Sequence, residues 1–154
     1  MPGHVRKQIR DYVANGLGNL ATTADRVYVG RTRPLTKGHG PALLIYMRSE
    51  TAERTVQGTP GKVTNACTLH IEGRVSTTEP PDDLLDQIDA EIQAGMAAMI
   101  DFGSAKVFGG LASNAYRTGT EIIAEADGER HIGGIRVEYL VTYRTVEGAA
   151  TVVA

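Results

Sequence analysis

Two stretches of this chain alternate apolar and polar residues with a period of two, and a polypeptide that does so commits those stretches to a sheet with one wet face. In the first, Cys67, Leu69, Ile71, Gly73 and Val75 alternate with Thr64, Thr68, His70, Glu72 and Arg74. In the second, Ile135, Val137, Tyr139, Val141 and Tyr143 alternate with Arg136, Glu138, Thr142 and Arg144. A slip of one residue would turn each apolar row to solvent, so the register is strongly fixed. Three further strands fit around this pair. "RVYVG" (26–30) is short, "PALLIYMR" is an apolar run opened by Pro41 and consistent with a buried strand, and "TEIIAEAD" leads through an Asp127-Gly128 turn into the last strand. The stretch after Gly103 has no clear period and reads as irregular.

Helical spacing occurs twice. Val5, Ile9, Tyr12, Val13, Leu17 and Leu20 mark an amphipathic opening helix over about 4–20 that frays near Gly16 and Gly18. Leu84, Leu85, Ile88, Ile92, Met96, Met99 and Ile100 mark a second, with Asp82, Asp86, Asp89 and Gln93 on its wet face. Thr77, Thr78, Asp82 and Asp83 offer caps and first-turn acids for it, and Ala94, Gly95, Ala97 and Ala98 permit close packing on a sheet. The order helix, strands, helix, strands predicts an α+β fold, a mostly antiparallel sheet with two helices on one face. At 154 residues this is one domain spanning 1–154. Its last residues, "EGAATVVA" (147–154), are expected either to hang free or to add to a neighbour's sheet edge.

The segment "QGTPGKVT" (57–64) invites comparison with a phosphate-binding loop, and fails it. A Walker A loop needs a glycine where Val56 stands and a Ser or Thr where Val63 stands. A strand follows it, whereas phosphate loops end on a helix N-terminus. "NGLGNLA" follows a helix rather than the strand a dinucleotide fingerprint requires, and Asp101-Phe102-Gly103 lacks every other kinase signature. His4, His39, His70 and His131 are scattered without metal-ligand spacing. Cys67 faces the expected core, where cysteine behaves as a small apolar residue. The acids of the second helix read as a solvated face rather than as a catalytic pair. No catalytic group, metal site or cofactor is expected.

The sole cysteine rules out an intrachain disulfide. The opening "MPGHVRKQIRDYV" has no apolar signal core, and no run is long enough to cross a bilayer, so synthesis and assembly in the cytoplasm without a membrane partner are expected. A net charge of −2 argues against a wholly basic nucleic-acid binder, and two Phe with no Trp leave little surface for stacking bases. The charge is nonetheless segregated. Arg6, Lys7, Arg10, Arg26, Arg31, Arg33 and Lys37 outnumber Asp11 and Asp25 up to residue 40, while Glu79, Asp82, Asp83, Asp86, Asp89, Glu91 and Asp101 run without a single Lys or Arg among them. Such segregation suits contacts between copies or with partner proteins. A DNA-binding module rests only on the basic third, and a small-molecule site would need a pocket of convergent polar groups that the sequence does not nominate.

The order of segments resembles the tail terminator (minor tail protein) family of long-tailed bacteriophages. The likeness runs through "HVRKQIRDYVANGL", "VYVGRTRPLTKGHGPALLIYMRSETAE", a long loop, "CTLHIEGRV", "DDLLDQIDAEIQAGM" and "TEIIAEADGERHIGGIRVEYLVTYRT", from about residue 4 to 146. It implies a virion protein at the head-proximal end of the tail. Members form a ring, typically of six copies, that stops tube growth and presents the surface on which the head joins. The implied partners are further copies of the chain, the tail tube protein, the head–tail connector or neck protein, and genomic DNA passing through the lumen without sequence-specific contact. Another ring-forming neck protein is the nearest alternative. The expected interface residues are Arg26, Arg31, Arg33 and Lys37 in the basic region, Arg48, Glu50, Glu53, Arg54 and Lys62 along a polar hairpin connection over 48–62, and Asp82, Asp83, Asp86 and Asp89 on the acidic helix. That connection, too long for a tight turn, is expected to dock on a tube end or a neighbour and to order on binding.

Overall fold

The two alternating stretches pair with each other at the centre of a five-stranded sheet. A computed structural model of the chain describes residues 3–30, 40–100, 106–127 and 130–154. Arg31, Arg33, Lys37 and His39, the Asp101-Phe102-Gly103 triplet and Gly128 of the expected turn lie outside the described residues. In chain order the elements are α1 (Val5–Gly16), β1 (Val27–Val29), β2 (Ala42–Val56), β3 (Lys62–Thr77), α2 (Asp82–Ile100), a 3-10 turn (Phe108–Gly110), β4 (Asn114–Asp127) and β5 (Arg130–Val146). The sheet order is β1-β2-β3-β5-β4, antiparallel throughout except for the short parallel pair β1–β2. The fold is α+β.

Both helices lie on one face. Val5, Ile9, Val13 and Leu17 of the α1 region and Leu85, Ile88, Ile92, Met96 and Ile100 of α2 are buried against the alternating rows of β3 and β5, together with Leu43 and Ile45 of β2. Gly73 sits in that row because its neighbours leave no room for more. A Cβ there would stand 2.8 Å from Ile88 Cγ2 and 3.2 Å from Ile135 Cγ2. Three of the four small residues of α2 play a different part from the one expected. Gly95 admits Leu17 of the α1 end (2.7 Å to a Cβ), so it serves a helix–helix crossing, while Ala94 and Ala98 face solvent. The 3-10 turn lies in the stretch expected to be irregular. It delivers Phe108, fully buried, to the core beside Tyr12, with ring centroids 6.2 Å apart.

The structure departs from expectation at four other places. Residues 48–56 are strand, not loop: β2 continues to Val56 and pairs with β3 as far as Val56↔Lys62, leaving 57–61 as the whole connection. Thr51 to Pro60 are all exposed, so this part of the hairpin has no core beneath it and no apolar alternation to announce it. β4 begins at Asn114, before the apolar "EII" that marked it. Thr77 Oγ1 accepts from the Glu79 amide at 3.2 Å, closing the turn ahead of α2 instead of capping the helix. The terminal segment is bonded to its own chain. The Val5 amide donates to Ala150 O (2.9 Å), the Ala154 amide to Arg144 O (2.9 Å), and Val153 packs on the core.

Candidate self-association surfaces

Several of the charges expected at an interface are occupied within the chain. Arg26 Nε donates to Pro41 O at 2.7 Å and its Nη2 to Thr22 O at 3.0 Å, fastening the chain ahead of β1 to the start of β2. Glu50 accepts from the Tyr143 hydroxyl and pairs with Arg6 at 3.3 Å. Arg54 pairs with Glu147 at 3.1 Å, and the same carboxylate accepts from the Gly61 amide at 3.2 Å, tying the hairpin end to the end of β5. Asp89 holds Gln93 one turn on, at 3.0 Å. These four residues spend their polar groups on the fold. Glu53 and Lys62 stay exposed on the projecting hairpin, and Asp82, Asp83 and Asp86 stay exposed on the first turns of α2.

The sheet face away from the helices carries a band of paired charges. Tyr46 stacks on His70 with centroids 4.9 Å apart, and Arg48 lies over the Tyr46 ring at 4.8 Å. His70 Nδ1 is 3.5 Å from Glu138, which is 3.7 Å from Arg136, and Arg136 also holds Glu121 across the β4–β5 pair. Burial is the main influence on His70 and lowers its pKa, with the neighbouring Glu138 opposing. The even-numbered face of β3 was expected to be wet, yet His70 is 8% exposed because the Tyr46 ring covers it.

Where α1 meets β2 the described residues form a cationic cleft of about 330 Å³, lined by His4, Arg6, Lys7, Arg10 and Arg48 above Met47 and Cys67. Lys7 is paired with Asp11 at 2.5 Å and Arg6 with Glu50, so two of these cations are locally balanced. Arg10 and Arg48 have no carboxylate partner among the described residues, and Arg10 Nε is buried without a hydrogen bond. Both also line a second opening of about 310 Å³ on the side of Gly30. The cleft was missed as a site, although Arg6, Lys7 and Arg10 belong to the basic third. Helical spacing puts Arg6 and Arg10 on one side of α1, but nothing local to Arg48 announces that it lies beside them. Burial dominates the titration of the groups at its floor and mouth. It pushes the Cys67 thiol up to about 11 and draws His4 down, the latter helped by Arg6.

The sheet edges complete the surface. β1 pairs only with Leu43–Ile45, so among the described residues β2 has no partner on its outer side over 46–56. At the opposite flank β4 is the last strand, and its outer edge has no partner along its length among the described residues. Tyr116, Ile122 and Ile123 on this strand are exposed. Soluble proteins normally blunt or cover edges of this kind.

No protein-family model matches the chain, and no curated protein matches it. Among solved structures, it is similar to a chain from the virion of a native gene transfer agent particle, at 10% identity over 90% of this chain and 92% of the other, with a TM-score of 0.39. It is also similar to the PVC sheath/tube terminator of an extracellular contractile injection system in its extended state, at 14% identity and a TM-score of 0.42. That likeness covers 97% of this chain, which spans 60% of the terminator's length.

Proposed function

We propose that the chain is a structural, non-catalytic subunit of a phage-like tail. Copies join head to tail into a closed ring, typically of six, that caps the head-proximal end of the tail tube. The ring ends tube growth and presents the surface to which the head-side connector binds, with DNA passing through its lumen. One observation carries this beyond the resemblance in segment order: among the described residues the sheet has two different unpaired edges on opposite flanks, β2 over 46–56, past the end of β1, and β4. β2 is antiparallel to β3, β3 to β5 and β5 to β4, so β2 and β4 run in opposite directions. Copies sharing one orientation therefore bring β4 of one beside β2 of the next in antiparallel sense, the pairing that edge strands make most readily. A contact between two different patches repeats around an axis and closes when the rotation allows.

The direct test adds the purified chain to growing tail tubes. Tubes are expected to stop lengthening and to carry a ring at one end in negative stain. Deleting residues 55–61 shortens the projecting hairpin while leaving the helix-covered core in place, and is expected to give a folded chain that no longer caps. Continued tube growth in the presence of the wild-type chain, or normal capping by the deletion variant, would overturn the proposal.

A further inference from the structure

The two edges that have no partner among the described residues fit each other only with an offset, and that offset brings together two surfaces of opposite charge. We infer that the cleft carrying Arg10 and Arg48 is the receptor for the first turns of α2, bearing Asp82, Asp83 and Asp86, of a second copy. The inference rests on the head-to-tail ring proposed above and names the contact that sets its register.

The offset follows from the strand pairing. The free edge of β2 over 46–56 centres on Thr51, which lies in the row Thr51↔Ala66↔Thr142↔Asn114. The edge of β4 centres on Thr120 and Glu121, in the rows of Val137 and Arg136. Centring one edge on the other slides the neighbour along the strands by five to six residues, about 20 Å at the rise of an extended chain. The cleft lies in the row Met47↔Leu69↔Tyr139. After the slide, that row of one copy stands level with Gly133 or Gly134 of the next. Gly133 is where α2 begins, since a Cβ on it would stand 2.9 Å from Pro81 Cβ and 3.1 Å from Leu85 Cδ1. The same displacement thus registers the backbone edges and sets the three exposed carboxylates against the two guanidinium groups that have no carboxylate partner among the described residues.

The lateral arrangement agrees. α1 contacts β1 and β2, whereas α2 contacts β5, β3 and β4, so the helices occupy opposite flanks of the same sheet face. Across the junction, α1 of one copy becomes the neighbour of α2 of the next, at the spacing ordinary for packed helices. The charges are complementary in kind as well. Guanidinium groups take carboxylates in bidentate fashion, and Arg10 Nε is buried with its hydrogen unclaimed. Charge pairing of this kind selects orientation and register, which edge strands alone leave free to slip.

The test compares four chains by sedimentation and by capping of tube ends: wild type, R10E/R48E, D82K/D83K/D86K, and the chain carrying all five changes. Far-UV circular dichroism checks that each is folded, and R10Q/R48Q replaces the reversed pair if that one is not. Each half-reversed variant is expected to weaken ring formation at least tenfold, and wild-type rings to loosen as salt rises. The fully swapped chain is expected to recover to within about threefold, because its acids and bases have only changed sides. Rings that form equally well in R10E/R48E, or a swapped chain that stays monomeric, would overturn the clasp while leaving the ring itself standing. A wild-type chain that neither forms rings nor caps tube ends would overturn both.

Discussion

Raising the pH above 9 should loosen this fold in two distinguishable steps, because three titratable groups are shut into its core. Cys67, Tyr139 and Tyr143 are 0%, 4% and 1% exposed, and Cys67 lies opposite Val141, between the two tyrosines on the buried face of β5. Desolvation pushes the thiol from its ordinary 9.0 up to about 11 and the Tyr139 phenol from 10.0 up to about 12. Tyr143 is raised for the same reason, reinforced by the hydrogen bond it donates to Glu50. In each case the folded pKa lies above the unfolded one. The stabilisation is therefore complete below the unfolded value and drains as pH climbs toward the folded value. Between pH 9 and 10 the thiol is the largest contributor, with a ceiling of about 1.4 kcal/mol per pH unit, while the phenols only begin to ionise in the unfolded chain. Above pH 10 the two phenols join and the slope steepens by up to threefold. Urea unfolding followed by circular dichroism at half-unit steps from pH 8 to 11 measures this directly. Cys67→Ala costs stability at every pH but should flatten the limb between 9 and 10, so the comparison is of slopes and not of levels. Parallel curves for wild type and variant across that unit would refute the reasoning.

Two further predictions concern single contacts that hold the layers together. Glu91 of α2 accepts from the Thr22 amide at 2.9 Å and the Thr22 hydroxyl at 2.5 Å, anchoring the segment between α1 and β1, so Glu91→Ala should cost about 2 kcal/mol, roughly 4–8 °C in thermal midpoint; an unchanged midpoint would show the anchor to be dispensable. Gly73→Val forces methyl groups into the space of Ile88 and Ile135 and should cost about 1–3 kcal/mol in chemical denaturation, whereas a neutral result would mean that α2 can lift from the sheet freely.

The parts of the fold that were legible in the sequence are those with one dry face and one wet one. β3 and β5 declare themselves because Cys67 to Val75 and Ile135 to Tyr143 alternate over the helices, and the acidic side of α2 declares itself by helical period. The outer half of β2 does not, since both faces of residues 51–56 are exposed and the hydrophobic pattern has nothing to report. Its strand character comes from backbone pairing with β3, which leaves no trace in side-chain polarity. The internal bonds of Arg26 are illegible for a related reason: its partners are carbonyl groups, Thr22 O and Pro41 O, and carbonyls have no sequence signature. The cationic cleft needed the tertiary fold, because it is assembled from α1 and β2, elements that only packing brings together.

The ordered state of the projecting hairpin changes the energetics expected of assembly. A loop over 48–62 that ordered only on binding would lose about 1–2 kcal/mol of backbone entropy per residue at that moment, about 15–30 kcal/mol across its length. In the structure that ordering has already happened within the subunit. The β2–β3 ladder runs to Val56↔Lys62, the buried pair Asn65 Nδ2 to Thr145 Oγ1 at 3.0 Å pins its base, and Glu147 holds Arg54 and the Gly61 amide at its tip. A preorganised edge lets the same contacts yield tighter association, since the entropic cost is met by folding rather than by docking. It also separates the two properties in experiment. Outward side chains such as Glu53 are exposed and add no apolar burial, so their substitution should stay within about 0.5 kcal/mol in stability. Loss of capping on replacing such residues then reports on the junction between copies and not on a damaged fold.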